Sequence, residues 1–213
     1  MPHWSHTDIL ALPNRYRANL INTVAGFKPV LLVGTANDAR ATNLAVFSNV
    51  LHIGASPPLI GLLIRPNPEG TQRHTLDNIL DTEHYTLNHV SIEQAANVHY
   101  TSARFCRDQS EFSACGFDEQ WRGDHRAPYV AKAPIQIGMV LVEHQTLAVN
   151  QTHLVIGSVS DIYTEEGLVS DDGAVNLTEA RSTVASGLDS YHSVSEGNRF
   201  EYAKPNQPPR RKG

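Results

Sequence analysis

The sequence predicts a mainly β fold with helices inserted between the strands, a closed or split antiparallel barrel. Three observations carry this reading. Apolar extended runs bounded by Pro, Gly, Asn and Asp outnumber the helical stretches. The runs 28–36 and 42–53 face each other across an Asn37-Asp38 turn, as the arms of a hairpin do. Helical periodicity is short and irregularly placed, unlike the regular strand–helix alternation of a parallel βαβ sheet.

The elements follow in order. Asp8 to Leu12 reads as a helical turn with Asp8 near its N-cap, and Tyr16 to Val24 as a helix ending at Gly26. Lys28 to Ala36 (KPVLLVGTA) and Thr42 to Ile53 read as two strands, and Leu59 to Ile64 as a third, apolar on both faces. The period then changes. Leu76, Ile79 and Leu80 share one face of a helix from about His74 to Thr82, with Thr71 or Arg73 near its start. Tyr85 to Val90 alternates as a strand, and Ile92 to Val98 reads as a helix capped by Ser91. Residues 101–134 look irregular. Ile135 to Glu143 and His153 to Tyr163 read as long strands, and Leu177 to Ala185 as a helix capped by Asn176 or Thr178.

Composition narrows the class. A chain of 213 residues with 40% hydrophobic and 18% charged residues suits one globular domain, expected over 1–203. The tail Lys204 to Gly213 (KPNQPPRRKG) reads as disordered. A net charge of −5 supplies no basic field for nucleic acid. No apolar run approaches the ~20 residues of a membrane span, and no signal peptide is readable. Cys106 and Cys115 form no CxxC pair, so free thiols in a reducing cytoplasm are expected. Eleven histidines invite a metal reading, but no HExxH or Cys/His cluster appears, so no metal is expected. GxGxxG, GxSxG and Walker A motifs are absent too.

The stretch from Thr42 to Asn78 carries the most chemistry. Thr42, Asn43, Ser48 and Asn49 lie inside an otherwise apolar β-run. A buried polar group without a partner costs about 1–3 kcal/mol, so these residues imply a polar guest or local turn partners. Downstream, Arg73, His74 and Thr75 open a helix, where backbone N–H groups favour an anion, and Asn78 follows one turn on. Arg65, at the end of the preceding strand, is a second source of positive charge.

NLAVFSNVLHIGASPPLIGLL (Asn43 to Leu63) is similar to the NLAPFS…PP pattern of the flavin-reductase-like family, an FMN-binding split barrel. RHTLDNI resembles that family's (K/R)-D-T-x-x-N-I helix start, with His74 where an acidic residue is common. EFSACGF (Glu111 to Phe117), HLVIGSV (His153 to Val159) and GLDSYH (Gly187 to His192) also have counterparts, in order, over residues 15–195. The resemblance implies a split barrel that binds FMN at or near the interface of a homodimer. It implies that Asn43, Leu44, Ala45, Val46, Phe47, Ser48 and Asn49 face the isoalloxazine ring. It also implies that Arg65, Arg73, His74, Thr75 and Asn78 hold the phosphate. Val46 stands where a proline is frequent, a change of strand curvature rather than chemistry. His153 stands at the head of a strand where the family often has a polar residue near the flavin or nicotinamide, although a single histidine there is more often a satisfied structural residue than a catalyst. Tyr191 and His192 either close the site or pack at the dimer interface.

The function expected is an FMN-dependent oxidoreductase that takes hydride from NADH or NADPH and passes electrons to an acceptor. No side chain is required as acid or base, because the flavin carries the chemistry, so no catalytic residue is assigned. The alternative is an FMN-binding electron carrier or flavin-binding protein without nicotinamide-dependent activity.

Overall fold

A computed structural model describes residues 1–66 and 73–212. Two helices lead, α1 (His6–Ala11) and α2 (Asn14–Val24). Five strands follow: β1 (Lys28–Pro29), β2 (Leu31–Ala36), β3 (Thr42–Phe47), β4 (Val50–Ala55) and β5 (Pro58–Ile64). Next come α3 (His74–Thr82), β6 (His84–His89), α4 (Ala95–Tyr100) and α5 (Glu111–Ala114). The chain continues through β7 (Glu119–Gln120), β8 (Tyr129–Val130), β9 (Ile135–Thr146), β10 (His153–Thr164), β11 (Thr183–Ser186) and β12 (Ser190–Ser193).

Seven strands form one antiparallel sheet in the order β3-β2-β6-β9-β10-β5-β4. Its two edge strands, β3 and β4, are consecutive in the chain, joined by Ser48-Asn49. The sheet therefore curls until its ends meet at that link, and the Asn49 carbonyl, accepting from Leu63 N at 3.0 Å, extends the β4–β5 ladder up to it. The expected mainly β split barrel is the observed fold. Leu31 and Val33 of β2, Leu62 and Ile64 of β5, Tyr85 and Leu87 of β6, Met139 of β9 and Val155 of β10 fill its interior. Leu76 and Ile79 of α3 pack into the same cluster, so α3 plugs the barrel.

The intervening residues point the other way, as strand alternation requires. Leu32 and Leu44 join Val30, Val90, Val98, Phe112, Cys115, Phe117, Val130 and Ala185 in a second core. That core lies between the barrel and a small sheet ordered β1-β11-β12. Gly34 of β2 is required by crowding: a Cβ there would sit 2.6 Å from Thr86 Oγ1 and run into the Pro128 carbonyl.

Most expected elements are present, with informative differences. Ser5, not Asp8, is the N-cap of α1, and Asp8 closes the capping box from inside. The expected strand 28–36 breaks at Val30, sending β1 to the small sheet and β2 to the barrel. The expected strand 42–53 breaks at Ser48-Asn49, which is the split itself. Residues 177–185 are not a helix. Asn176 Oδ1 does accept from Thr178 N and Glu179 N, but Arg181 adopts φ 51°, which ends the turn. Val184 and Ala185 then pair with β1 and β12 as strand, which suits the β-branched valine. The irregular region contains α5, β7 and β8. Of the tail expected to be disordered, residues up to Lys212 are described: Glu201 N donates to the Arg210 carbonyl and Lys212 Nζ lies 3.1 Å from Asp172. The alternative helix start at Thr71 lies outside the described residues.

Candidate functional site

β3 is an edge strand, and its hydrogen-bond alternation decides what it offers. Asn37 N donates to the Ala41 carbonyl at the hairpin turn. The bonded pairs of the ladder are then Thr35–Asn43, Val33–Ala45 and Leu31–Phe47. The N–H and C=O groups of Leu44 and Val46 therefore point off the open edge. Side chains follow the other alternation. Leu44 is buried in the outer core with Val46 against it, while Phe47 packs on the barrel interior. Ala45, Ser48 and Asn49 are half-buried.

Asn43 was expected to face a polar guest. Its side chain instead faces the protein: Asn43 Nδ2 donates to Thr75 Oγ1 at 3.0 Å and lies 3.4 Å from Thr35 Oγ1. Asn78 Nδ2 donates to the same Thr35 oxygen at 3.1 Å, and Asn78 Oδ1 accepts from Arg107 Nη2 at 3.1 Å. Thr35, Asn43, Thr75 and Asn78 are all buried. These polar residues tie β2, β3 and α3 together, with the amide N–H groups of Asn43 and Asn78 directed to the threonine hydroxyls. Strand periodicity could not show that α3 comes back to lie against Asn43.

The start of α3 is positively charged. Arg73 is its N-cap residue, without a side-chain cap hydrogen bond. The first N–H groups of the helix precede any intrahelical acceptor. Burial lowers the Arg73 pKa, and so do the nearby charges of Arg104 and Arg65, so three guanidinium groups share this corner. Arg65 Nη2 also donates to Asn22 Oδ1 of α2 at 2.9 Å. Arg107 lies 3.6 Å from Asp77 in the first turn. His74 is half-buried beside Glu111, whose charged form it favours.

Arg104, Arg107 and Glu111 are absent from the sequence-derived site. The two arginines are three residues apart in an irregular stretch, and that local charge density was the only signal. Glu111 lies within the motif EFSACGF, which carries no indication that its carboxylate reaches β3.

A narrow cleft joins Asn43, His74, Asn78, Arg107, Gln109 and Glu111. Its free volume is about 10 Å³, room for about one water molecule. A tricyclic ring does not fit there. The open β3 edge and the arginine corner offer surface beside the cleft, and a roomier cavity of about 390 Å³ is lined by Asn37, Arg40, Trp121, His125 and Arg126.

The other singled-out residues have local partners. His153 Nδ1 lies 3.1 Å from His144 Nε2 and 3.2 Å from Thr146 Oγ1 on neighbouring β9. Tyr191 OH lies 3.0 Å from His99 Nδ1, and His192 Nε2 lies 2.9 Å from Ser186 Oγ. Both sit on β12 of the small sheet, and Tyr191 packs on the same outer core as Val46. Among the described residues, no three His, Cys, Asp or Glu groups gather as metal ligands. No helix among them is long and apolar enough to cross a membrane.

The architecture is a split antiparallel barrel with an open strand edge at β3 and a basic helix start at α3 without a side-chain cap. Residues 27–183 match the family described as flavin reductase like domain. The chain belongs to that family. It is also 41% identical to a Shewanella frigidimarina protein assigned as a flavin reductase with a split barrel domain. That alignment covers 95% of this chain and 100% of the other, with a TM-score of 0.91. The 2-nitrobenzoate 2-nitroreductase NbaA of Pseudomonas fluorescens shares the fold at TM-score 0.80 and 23% identity, covering 97% and 98% of the two chains. An FMN-binding protein of Thermus thermophilus shares it at TM-score 0.69 and 20% identity, covering 85% and 93%.

Proposed function

We propose that this protein is an FMN-binding flavoprotein oxidoreductase that accepts hydride from NADH or NADPH and passes electrons to a separate acceptor. The observation that carries this reading is the open β3 edge at Val46 lying on the same barrel as the Arg65/Arg73/Arg104 corner. An isoalloxazine ring has a pyrimidine edge of alternating acceptors and a donor, which suits outward N–H and C=O groups. A phosphate monoester suits a helix start flanked by guanidinium groups. Family membership and the FMN-binding fold relative support the choice of flavin.

The site proposed keeps all the sequence-derived residues but divides their work. Val46 contributes its N–H and C=O, and Leu44 its carbonyl, the Leu44 N–H being held by Glu111. Ala45, Phe47, Ser48 and Asn49 shape the surface around the ring. Arg65 and Arg73 bind phosphate with Arg104, aided by His74. Asn43, Thr75 and Asn78 hold α3 against β3 and thereby set the distance between the two halves. Bound FMN would supply the hydride chemistry, and the protein's contribution is orientation, charge and exclusion of water.

A single domain over 1–203 with the tail 204–213 appended is the organisation we assign. A homodimer is supported by α1 and α2, none of whose residues is buried. Tyr16, Ile21, Val24 and Phe27 expose apolar surface there, and a second copy of the chain would cover it. The free thiols Cys106 and Cys115 fit a cytoplasmic setting.

The test is spectroscopic. Purified protein should be yellow or turn so with added FMN, and anaerobic NADH or NADPH should bleach the flavin band within the mixing time of a turnover assay. Bleaching by neither nucleotide, but by a reduced partner protein, would make it an electron carrier. Failure to bind FMN at all would remove the flavin assignment.

A further inference from the structure

Glu111 is a carboxylate that nothing in the proposed chemistry uses, yet its side chain makes one specific long-range bond. Only 5% of its surface is exposed. Its Oε2 accepts from Leu44 N at 3.0 Å, across 67 residues of sequence. Leu44 N is one of the outward N–H groups of the β3 edge, so Glu111 stands where the next strand of a sheet would stand. The start of the strand is tethered through a side chain: Thr42 Oγ1 lies 2.7 Å from Ser110 Oγ and 2.6 Å from Glu119 Oε1. Ser110 in turn caps α5 through Phe112 N, and Phe112 is buried in the outer core. The first half of the β3 edge is thus anchored to α5, and the half beyond Leu44 is left open.

We propose that Glu111 is a positioning residue that sets the ligand-binding edge of β3. By holding Leu44 N–H it fixes the strand one residue pair before Val46, whose outward N–H and C=O are the groups offered to the ring. It also keeps the Leu44 amide from competing for the same ligand oxygen. An edge strand held on one side only is free to twist and slip; the clamp removes that freedom where the ligand must be read. The proposal deepens the flavin assignment and rests on it. Length and acceptor capacity matter in this role, and negative charge does not.

Three variants of the full-length protein separate these properties: Glu111→Ala removes the acceptor, Glu111→Gln keeps reach without charge, and Glu111→Asp keeps charge without reach. Amide hydrogen exchange at Leu44 and Val46 is read in the ligand-free protein, and FMN affinity by fluorescence titration. Glu111→Ala and Glu111→Asp should speed Leu44 exchange at least tenfold and weaken FMN binding about tenfold. Glu111→Gln should stay within threefold of the parent in both. Should Glu111→Ala fail to fold, the Asp and Gln pair still decides. Wild-type affinity and exchange in Glu111→Asp would overturn the clamp. So would a Gln variant as impaired as the Asp variant, which would make charge the active property. If the parent protein binds no FMN, the flavin assignment fails on that result, and exchange at Leu44 still tests the clamp.

Discussion

Thr35→Val is the sharpest probe of how α3 is held. Thr35 Oγ1 is fully buried and accepts from Asn78 Nδ2 at 3.1 Å, with Asn43 Nδ2 at a longer 3.4 Å. Valine keeps the shape and the methyl packing and deletes the acceptor. Asn43 retains Thr75 as its partner, so the main loss falls on Asn78, only 2% exposed. A buried donor left unsatisfied costs about 1–3 kcal/mol, and the single good bond here places the expectation near ~2 kcal/mol. For a chain of this size that is a fall in Tm of roughly 4–8 °C. Thr35→Ser is the matched control: it keeps the oxygen and loses one methyl, about 0.8 kcal/mol in transfer terms. Urea unfolding of both variants, with unchanged m-values, measures the difference. If Thr35→Val is as stable as Thr35→Ser or more so, the polar network does not hold α3 and the reasoning is wrong.

Removing charge from the arginine corner should weaken FMN without unfolding the barrel. Arg73→Ala is expected to cost about 1–3 kcal/mol of binding, and Arg104→Ala a similar loss that shrinks at high salt; salt-independent, unchanged affinity in a fluorescence titration would dissolve the phosphate seat. Glu111 also makes a pH prediction. Its burial raises its pKa, opposed by the Leu44 N–H bond and His74. A carboxyl whose folded pKa is raised contributes stability below its unfolded pKa, and that contribution is lost as pH rises through the folded value. The stability gained by Glu111→Gln over the parent should therefore grow from pH 4 to pH 8. A gap constant across that range in thermal melts would show that ionisation of Glu111 carries no cost.

Much of the fold was legible because apolar period reports burial directly. The 74–82 helix, the hairpin turn at Asn37-Asp38 and the long strands β9 and β10 follow from residue spacing alone. The errors share one cause. A single apolar run was read as one strand at 28–36 and again at 42–53, and each crosses a point where the chain changes sheet or edge. Local hydrophobicity does not change at such a point; only the partner strand does. The region 177–185 failed similarly, because a capped turn and a β-branched pair compete and the distant partner Pro29 favours strand for Val184.

The candidate site divides along the same line. The sequence by itself determined that polar residues interrupt an apolar strand and that an arginine opens a helix, because those are properties of residue type and order. It also carried the family pattern. The tertiary structure decided which polar groups are free. Asn43 donates to Thr75 and Asn78 to Thr35, Glu111 takes the Leu44 N–H, and the open hydrogen-bonding surface is the backbone at Val46. Arg104 and Glu111 join the site only because the chain returns there. Hydrogen-bond satisfaction depends on contacts between residues far apart in sequence, so only folding assigns it.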